Sequence, residues 1–313
     1  MVGIVILDYN NPNDTINCIE SVIKYTPQDL YKIIVVENGS NNNTISIITS
    51  YIKGKSNYGI YNYGKDWPYS LPIISLLISN SNDGYAEGNN KALRLFEKDP
   101  QIDKILILNN DILFIEDVIS RLIVYSEKKP DIGIISPILY KKDSKTIDYN
   151  SARYDYKKLQ FFWDYLFAFK DFFGIIKKYE RNKCILLHNP ECMNNEYVNI
   201  DLPSGSCMMI NKELFKSIGY FDNNTFLYFE ENILYRKLLK LGKKNYLIPK
   251  IKCIHLGAST SRKSPSAFTM KCQMKSTAYY LRFYRNAPCM AAYVRTMSHL
   301  TLFKIWILKH LMK

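Results

Sequence analysis

Acidic residues are absent from residues 232–313, although the 313-residue sequence contains 29 Asp and Glu in all. The same stretch holds 17 of the 42 Lys and Arg, so its formal charge is +17, and the balance over residues 1–231 is −4. A region with cations alone predicts contact with something anionic: phosphates, nucleic acid or a lipid surface. The alternative is a lysine-rich surface that is simply solvated.

A CxxC pair is also missing. An odd number of cysteines without such a pair argues against a disulfide framework and against a zinc cluster, and it favours a reducing cytosol. The seven cysteines are Cys18, Cys184, Cys192, Cys207, Cys253, Cys272 and Cys289. The N-terminal stretch lacks a basic region and a small-residue cleavage site, so we expect no signal peptide in MVGIVILDYNN.

A membrane-spanning helix needs about 20 mostly uncharged residues, and the apolar stretch Ala287–Met312 does not supply them. The residues that interrupt it are Arg295, His299, Lys304, Lys309 and His310. A basic amphipathic helix that lies on an anionic leaflet fits this pattern better. We therefore predict that residues 262–313 form a basic helical tail, which holds a cytoplasmic protein peripherally at the inner face of the cell membrane.

Apolar runs that end in polar residues alternate with helical patterns in the first half of the chain. This alternation predicts an α/β fold with a mostly parallel central sheet. The predicted strands are Gly3–Asn10, Tyr31–Ser40, Leu71–Ser79, Lys104–Asp111 and Asp131–Tyr140. The predicted helices are Asp14–Thr26 with Asp14 as N-cap, Ser46–Lys53, Gly84–Lys98 from about Asn89 onward, and Glu116–Ser126.

Four places where strands end, or where a loop follows a strand, carry polar side chains. Ligands of parallel sheets bind beyond the C-terminal ends of the strands, so we expect these side chains to gather along one rim. Four polar ends in one place indicate a nucleotide site rather than unrelated turns. The ends are Tyr9–Asn11, Glu37–Asn38, Asn82–Asp83 and Asn109–Asp111.

The segment Leu159–Glu180 is rich in aromatic residues. A helix there would place Asp164 and Asp171, seven residues apart, on one face. The segment is either a helix that packs on the core or a surface helix that meets lipid or a lipid-linked acceptor, and the sequence leaves both interpretations open.

Short motifs occur in order along the chain: VILDYNN, ESVIKYT, IIVVENGS, NDGYAEGNN, LILNND, PSGSCMMINKELFKSIGYFDNNTFLYFEENILYRKLLKLG and IHLGAST. This series resembles the inverting glycosyltransferases of the family-2 type, which have the GT-A fold, and in particular their bacterial rhamnosyltransferase-like branch. The resemblance covers about Gly3–Ser261.

The resemblance implies a division of the chain into regions. A GT-A domain is expected over residues 1–261. Its parts would be a nucleotide-sugar-binding half at 1–140, a variable aromatic-rich segment at 141–198 and an acceptor and catalytic half at 199–261. The basic helical tail at 262–313 would follow.

The resemblance also implies a reaction. A sugar would move from a nucleotide-diphosphate donor, dTDP-rhamnose or a UDP-sugar, to a hydroxyl of a glycan or polyprenyl-linked acceptor, in the synthesis of bacterial capsule or lipopolysaccharide O-antigen. Mg²⁺ or Mn²⁺ would stabilise the leaving diphosphate, and one or two carboxylates plus substrate phosphates suffice to bind such an ion.

The family carries an Asp-x-Asp motif whose last Asp is usually a metal ligand, and Asp111 occupies that place. Asn109 stands where the family has its first Asp, and an amide can still bond a ribose hydroxyl or a metal-bound water. Asn110 lies between them and is expected at the donor. His255 is the second candidate metal or phosphate contact. The alternatives are a turn that caps the next helix at Asp111 and a structural role for His255.

Further residues match positions that bind the donor in the family. Glu37 stands where an acid accepts hydrogen bonds from base or ribose, and the alternative is a helix N-cap network. Gly84 and Gly88 would allow close backbone approach. The other implied donor contacts are Tyr9, Asn10, Asn38, Asn82, Asp83 and Asn90.

The pair Glu230–Glu231 matches the acid pair of the family, in which the second acid is the general base. Glu231 therefore takes that role, with Glu230 beside it. The alternative is a charged first turn of a helix over Asn232–Leu241, since acids favour helix N-termini. Gly205 resembles part of the acceptor-site wall, where it would let a sugar approach the backbone.

Three competing functions remain open from the residues alone. A GT-A-fold nucleotidyltransferase would require a basic Gly-rich loop near the first strand, and the stretch DYNNPNDT contains no Lys, Arg or Gly. A nucleic-acid-binding protein would use the basic tail, but residues 1–231 are net acidic. A catalytically inactive sugar-binding relative would not need the candidate base and metal ligands. We therefore expect a sugar donor, a glycan or lipid-linked acceptor and a membrane surface as partners, and no nucleic acid.

Overall fold

A computed structural model describes residues 1–65, 67–68, 70–170, 184–257 and 267–311 of the chain. Across these ranges the backbone builds a ten-stranded sheet and a separate two-stranded sheet. The strands are β1 Val2–Asp8, β2 Tyr31–Glu37, β3 Tyr58–Asn62, β4 Ile74–Ile78, β5 Lys104–Asn109, β6 Ile112–Phe114, β7 Ile132–Lys141, β8 Ala152–Arg153, β9 Val198–Ile200, β10 Leu202–Pro203, β11 Cys207–Asn211 and β12 Lys244–His255.

The large sheet has the order β3-β4-β2-β1-β5-β11-β7-β12-β6, and β9 pairs with β12. Strands β3, β4, β2, β1 and β5 run parallel to one another. Strand β11 is antiparallel to both β5 and β7, and β12 returns parallel to β7. The predicted parallel sheet is confirmed for this half, and β11 is the antiparallel insertion that the local pattern did not reveal.

Helices cover both faces of the sheet, which explains why its central strands are apolar on both sides. The helices are α1 Pro12–Tyr25, α2 Asn42–Lys53, α3 Gly84–Phe96, α4 Val118–Glu127, α5 Lys158–Lys170, α6 Ile185–His188, α7 Lys212–Ser217, α8 Glu230–Lys240, α9 Ala267–Phe283 and α10 Pro288–Leu311. Alternate residues of β1 face opposite cores: Ile4 and Ile6 pack with α1, α2 and α4, whereas Val5 packs with α3, α7 and α8.

Several element boundaries differ from those predicted. Helix α1 begins at Pro12, so Asp14 lies in its first turn and is not the N-cap. Helix α3 begins at Gly84 rather than near Asn89, because Oδ1 of Asn82 accepts the Gly84 N–H at 3.0 Å and starts the helix there. Strand β3 was missed because it is an edge strand whose residues are half-buried or exposed, so it lacks an apolar run.

Helices α9 and α10 form a C-terminal hairpin that packs against α5 and the start of α8. Tyr280 of α9 and Val294 of α10 are fully buried in a cluster that includes Phe161, Phe229 and Ile233. The hairpin therefore shares a buried core with α5 and α8, and the division of the chain at residue 261 stays a prediction. Phe161 also shows that α5 packs on the core. The rest of the predicted aromatic segment, residues 171–180, lies outside the described ranges.

Candidate active site

The ends of β1, β2 and β5 meet at one rim of the sheet, as their polar residues predicted. The N–H of Asn10, after β1, donates to Oγ of Ser40, after β2, at 2.9 Å. Nδ2 of Asn110, after β5, donates to Oδ1 of Asp8 at 3.2 Å. These hydrogen bonds tie three separate strand ends into one polar surface.

Glu37 ends β2, and its side chain is fully buried. Oε1 accepts the N–H of Ser40 at 2.5 Å, whereas Oε2 is buried and has no hydrogen-bond partner among the residues that the structure describes. A buried carboxylate oxygen without a partner costs free energy. Oε2 is therefore a suitable acceptor for a ligand N–H, while the local turn accounts for Oε1 alone.

Asp8 is a rim residue that the sequence reasoning missed. It pairs with Glu37 in the β1–β2 register, and Oδ1 accepts the Thr15 hydroxyl at 2.5 Å. Burial raises the pKa of Asp8, the charge of Glu37 adds to the rise, and the bonds from Thr15 and Asn110 oppose it. The signal available in the sequence was that two predicted parallel strands, VILD and IVVE, both end in an acidic residue.

The side chain of Asn110, a predicted donor contact, is tied to Asp8 and Thr15. Its Nδ2 donates to Oγ1 of Thr15 at 2.9 Å as well as to Asp8, so the amide lies against β1 and α1. Asn109 bonds across to β11: its N–H donates to the Ser206 carbonyl oxygen at 2.8 Å, and Nδ2 donates to Oγ of Ser206 at 3.3 Å.

Two of the predicted donor contacts have protein partners for their side-chain amides. Both side-chain amide atoms of Asn90 bond the main chain of Phe221, at 3.0 and 3.1 Å, and the residue is buried. Nδ2 of Asn38 donates to Oδ1 of Asn82 and to the Gly84 carbonyl oxygen, each at 3.1 Å. The Asn38 side chain therefore holds the start of α3 in place, and the Asn90 side chain ties the middle of α3 to the loop after α7.

The remaining predicted donor residues lie nearer the surface of the rim. Tyr9 is 46% exposed. Asn10 has a left-handed backbone, with φ 55°, and its Oδ1 accepts from Asn41 at 2.7 Å. Asp83 forms an ion pair with Lys91, and this partner lowers the pKa of Asp83.

Asp111 and His255 come together, as the resemblance implied. Oδ2 of Asp111 is 3.2 Å from Nε2 of His255, and Nδ1 of His255 is 2.8 Å from Oδ2 of Asp148. Burial lowers the pKa of His255, but the carboxylates of Asp111 and Asp148 outweigh it and raise the pKa to about 9. Asp148 was missed because it lies in the variable stretch, where no motif marks it.

These residues fit a divalent cation held by one carboxylate. Oδ1 of Asp111 is buried, with no hydrogen-bond partner in the described part of the chain. Metal binding would replace the Nε2 proton of His255, while an Nδ1–H that donates to Asp148 would orient the ring. No group of three or more His, Cys, Asp or Glu suited to a metal occurs in the described ranges. Substrate phosphates and water would therefore supply the other ligands.

The acid pair begins α8 directly after a strained turn. Tyr228 and Phe229 both have left-handed backbones, with φ 74° and 72°. Non-glycine residues rarely adopt this conformation, and such strain clusters at functional sites. The ring of Phe229 packs on Phe161, with centroids 6.2 Å apart, which helps to hold the turn.

Glu230 and Glu231 have opposite surroundings. Glu230 is buried, and this burial, together with the charge of Glu231, raises its pKa to about 8. Oε1 of Glu231 accepts the N–H of Gly205 at 3.0 Å and lies 3.7 Å from Nη2 of Arg153, two groups that stabilise negative charge. The first acid is thus mainly protonated at neutral pH, while the second is placed to act as a carboxylate.

Gly205 gives room to the Glu231 carboxylate. A Cβ atom on Gly205 would lie 2.8 Å from Oε1 of Glu231, closer than real contacts allow. The lack of a Cβ atom at Gly205 therefore leaves room for the predicted base to approach the backbone.

A cleft of about 360 Å³ opens beside Glu231. Its walls combine the end of β5, the loop before β11, the start of α8 and one residue of α9. The lining residues are Tyr85, Asn109, Asn150, Arg153, Tyr156, Gly205, Ser206, Leu227, Tyr228, Phe229, Glu230, Glu231, Asn232 and Gln273. The cleft places a carboxylate, a guanidinium group and aromatic rings around a volume suited to a small polar ligand.

Comparison with known proteins agrees with this geometry. Residues 3–219 match the family Glycosyl transferase family 2. A curated relative, the N-acetylglucosaminyl-diphospho-decaprenol L-rhamnosyltransferase of Mycobacterium tuberculosis, is 23% identical over 225 residues, which is 67% of this chain and 67% of the relative.

Solved structures share the fold at low sequence identity. GalNAc-T7 with UDP, GalNAc and Mn²⁺ has a TM-score of 0.59 and 15% identity, over 90% of this chain and 47% of that one, so this chain spans about half its length. A mannosyltransferase from Pyrobaculum calidifontis in complex with GDP-Man and Mn²⁺ has a TM-score of 0.56 and 13% identity, over 97% of this chain and 74% of that one. The architecture is that of GT-A glycosyltransferases, and the chain belongs to glycosyl transferase family 2.

Proposed function

We propose that the protein transfers a sugar, with inversion at the anomeric carbon, from a nucleoside-diphosphate donor to an acceptor hydroxyl, and that Glu231 is the general base. One observation carries this proposal: the Glu231 carboxylate faces the cleft, held by the Gly205 N–H, beside an acid that burial keeps protonated. A single inverting displacement requires a base on the acceptor side of the sugar and a leaving group on the opposite side.

Each proton and bond has a place in this scheme. The acceptor hydroxyl gives its proton to Glu231 as its oxygen bonds the anomeric carbon. The bond between that carbon and the donor phosphate oxygen breaks, and the electron pair leaves with the nucleoside diphosphate. Arg153, 3.7 Å from Glu231, stabilises the carboxylate before it takes the proton.

The residues at the end of β5 serve the leaving group in this scheme. Asp111 and His255 would hold Mg²⁺ or Mn²⁺, and both solved relatives contain Mn²⁺. When bound, such an ion stabilises the negative charge that develops on the diphosphate. Asp148 orients the His255 ring through Nδ1.

The donor and acceptor are proposed by class. Glu37 offers Oε2 to a ring N–H, and uracil and thymine each carry one at N3. The curated relative is named for rhamnosyl transfer to a diphospho-decaprenol-linked N-acetylglucosamine. We infer a dTDP-rhamnose or UDP-sugar donor and a glycan or lipid-linked acceptor, in bacterial surface polysaccharide synthesis.

A lipid-linked acceptor would bring the protein to the inner face of the cell membrane, and α10 offers a surface for that contact. Leu300, Phe303 and Trp306 are 44%, 60% and 56% exposed at helical spacing, beside the cation Lys304. No helix in the described ranges is long and apolar enough to cross a bilayer. Peripheral association through this face, in the cytoplasm, is the arrangement that we propose.

Glu231→Gln tests the proposed reaction. Donor affinity should stay within about twofold of wild type, and kcat should fall by about 10²–10⁴, the usual loss when a general base is removed. Calorimetric donor binding and released nucleoside diphosphate are the two measurements. Strongly weakened donor binding with kcat preserved would move Glu231 into the donor site and exclude it as the base.

A further inference from the structure

Asp155 is buried outside the lining of the cleft, yet its carboxylate joins parts of the chain that meet beside Glu231. Its side chain is 3% exposed. The groups that bond it are Nδ2 of Asn232 at 2.8 Å, the Tyr280 hydroxyl at 2.8 Å, Nη1 of Arg285 at 3.1 Å, and Nη2 of Arg236.

These partners come from two helical units. Asn232 directly follows Glu231, and Arg236 lies one turn further along α8. Tyr280 lies in α9, and Arg285 lies in the turn between α9 and α10. One carboxylate therefore links the helix that carries the proposed base to the C-terminal hairpin.

The same carboxylate also anchors the wall of the cleft. Arg153 and Tyr156, on either side of Asp155 in sequence, both line the cleft. Nη1 of Arg285 also donates to the Tyr156 carbonyl oxygen at 2.5 Å. Movement of the hairpin would thus displace both this wall and the first turn of α8.

The charges at Asp155 stabilise its contacts with α8 and with the hairpin. Loss of the Asp155 charge would leave two partly buried guanidinium groups, 23% and 11% exposed, without their shared counterion, which is costly. The bonds to Asn232 and Arg236 are four residues apart on one face of α8, so together they fix the rotation of that helix. Glu231 lies on the same turn.

We propose that Asp155 is a positioning residue for the base, and that it makes the position of Glu231 depend on the C-terminal hairpin. Asp155 fixes the position of α8 through Asn232 and Arg236. The hairpin fixes the position of Asp155 through Tyr280 and Arg285. This inference rests on the proposed role of Glu231.

Asp222 provides a matched control. It accepts the hydroxyls of Tyr279 at 2.9 Å and Tyr284 at 2.6 Å, so it also ties the hairpin to the domain by charge-assisted bonds. Those bonds join the hairpin to the loop after α7, instead of to Asn232. A general effect of hairpin docking should therefore appear in Asp222→Asn as well.

The experiment measures kcat, both KM values and thermal unfolding for Asp155→Asn, Asp222→Asn and Tyr280→Phe in the full chain. We expect Asp155→Asn to lower kcat per folded molecule at least about tenfold, equivalent to about 1.4 kcal/mol, with donor KM within about twofold. Asp222→Asn should leave kcat within about twofold. Tyr280→Phe removes the hydroxyl that donates to Asp155 and keeps the ring. If Asp155→Asn does not fold, Tyr280→Phe tests the same link to the hairpin, and we expect a smaller fall in kcat.

A double-mutant cycle with Glu231→Gln separates positioning from plain stability. If Asp155 acts through the base, Asp155→Asn should change kcat less than about twofold once Glu231 is already Gln. Unchanged kcat in both Asp155→Asn and Tyr280→Phe, an equal loss in Asp222→Asn, or full additivity with Glu231→Gln would overturn this inference. Full activity of Glu231→Gln alone would instead overturn the proposed function.

Discussion

At the scale of single residues, the site is defined by neighbouring carboxylates in unlike surroundings. Glu230 is enclosed, whereas Glu231 meets a backbone N–H and a guanidinium group. Environment rather than residue type therefore assigns the acid that keeps its proton and the acid that can accept one. Asp111 shows the same principle, because only one of its two oxygens has a protein partner in the described part of the chain.

The raised pKa of Glu230 predicts a pH dependence of stability. Its pKa is about 8 in the folded protein against 4.5 for an ordinary glutamate, so between these values the folded state keeps a proton that the unfolded state has lost. The free energy of unfolding should therefore fall as pH rises from about 4.5 to about 8. Glu230→Gln removes this contribution, and its stability relative to wild type should rise over the same interval.

Urea unfolding at pH 5.5 and pH 8 measures this difference. Glu213→Gln is the control, since that side chain is 73% exposed and should leave the pH dependence of wild type unchanged. A constant difference between Glu230→Gln and wild type at both pH values would show that Glu230 ionises normally in the fold.

Asp111→Asn should abolish transfer while the protein stays folded. The amide removes the charge that a divalent cation needs, and the loss of that ion's stabilisation should cost several kcal/mol of transition-state energy. Mn²⁺ affinity, measured by electron paramagnetic resonance with donor present, should fall together with kcat. Retention of more than about 10% of kcat, a loss below about 1.4 kcal/mol, would remove Asp111 from the site.

At the scale of elements, the sequence predicted the strands that follow one strong local pattern, an apolar run with polar ends. Strands β1, β2 and β5 are continuous apolar runs with polar ends, and each lies where its run predicts. Edge strand β3 has no such run, and β11 pairs with strands far away in sequence. Asp148 and Asp155 could not be assigned, because their roles come from partners more than 70 residues away.

The C-terminal hairpin is the element whose packing the charge pattern did not reveal. Its charge suggested a separate tail, but Tyr280 is fully buried beside Phe161 and Phe229. Tyr280→Ala should therefore lower the free energy of unfolding by about 3 kcal/mol, as cavities at buried aromatics do. Phe283→Ala, on the same helix at a 58% exposed position, should change it by less than about 0.5 kcal/mol.

Urea denaturation of the two variants gives the comparison. Equal and small losses would mean that α9 docks weakly and that the predicted independence of residues 1–261 was right.

At the scale of the whole molecule, the charge asymmetry and the exposed aromatic face of α10 lie in the same region. Each basic residue near an anionic leaflet contributes about 1 kcal/mol, and Phe303 and Trp306 are suited to the interface. We predict that the protein co-sediments with anionic vesicles at low salt and less at high salt, and binds neutral vesicles weakly.

The double variant Phe303→Ser and Trp306→Ser should reduce this binding, whereas Val124→Ser, at a 53% exposed position of α4, should not. Equal binding by all three proteins would exclude the α10 face. Retention on DNA without binding to any vesicle would assign the cationic region to nucleic acid instead.

The stereochemistry of the product tests the central claim most directly. Displacement by an acceptor hydroxyl with Glu231 as base, and no protein nucleophile, must reverse the configuration at the anomeric carbon. Once a panel of nucleotide sugars with Mn²⁺ identifies a donor that is turned over, proton NMR of the first product gives its anomeric configuration. We predict inversion relative to the donor; retention would contradict the assignment of Glu231 as the base of a single displacement.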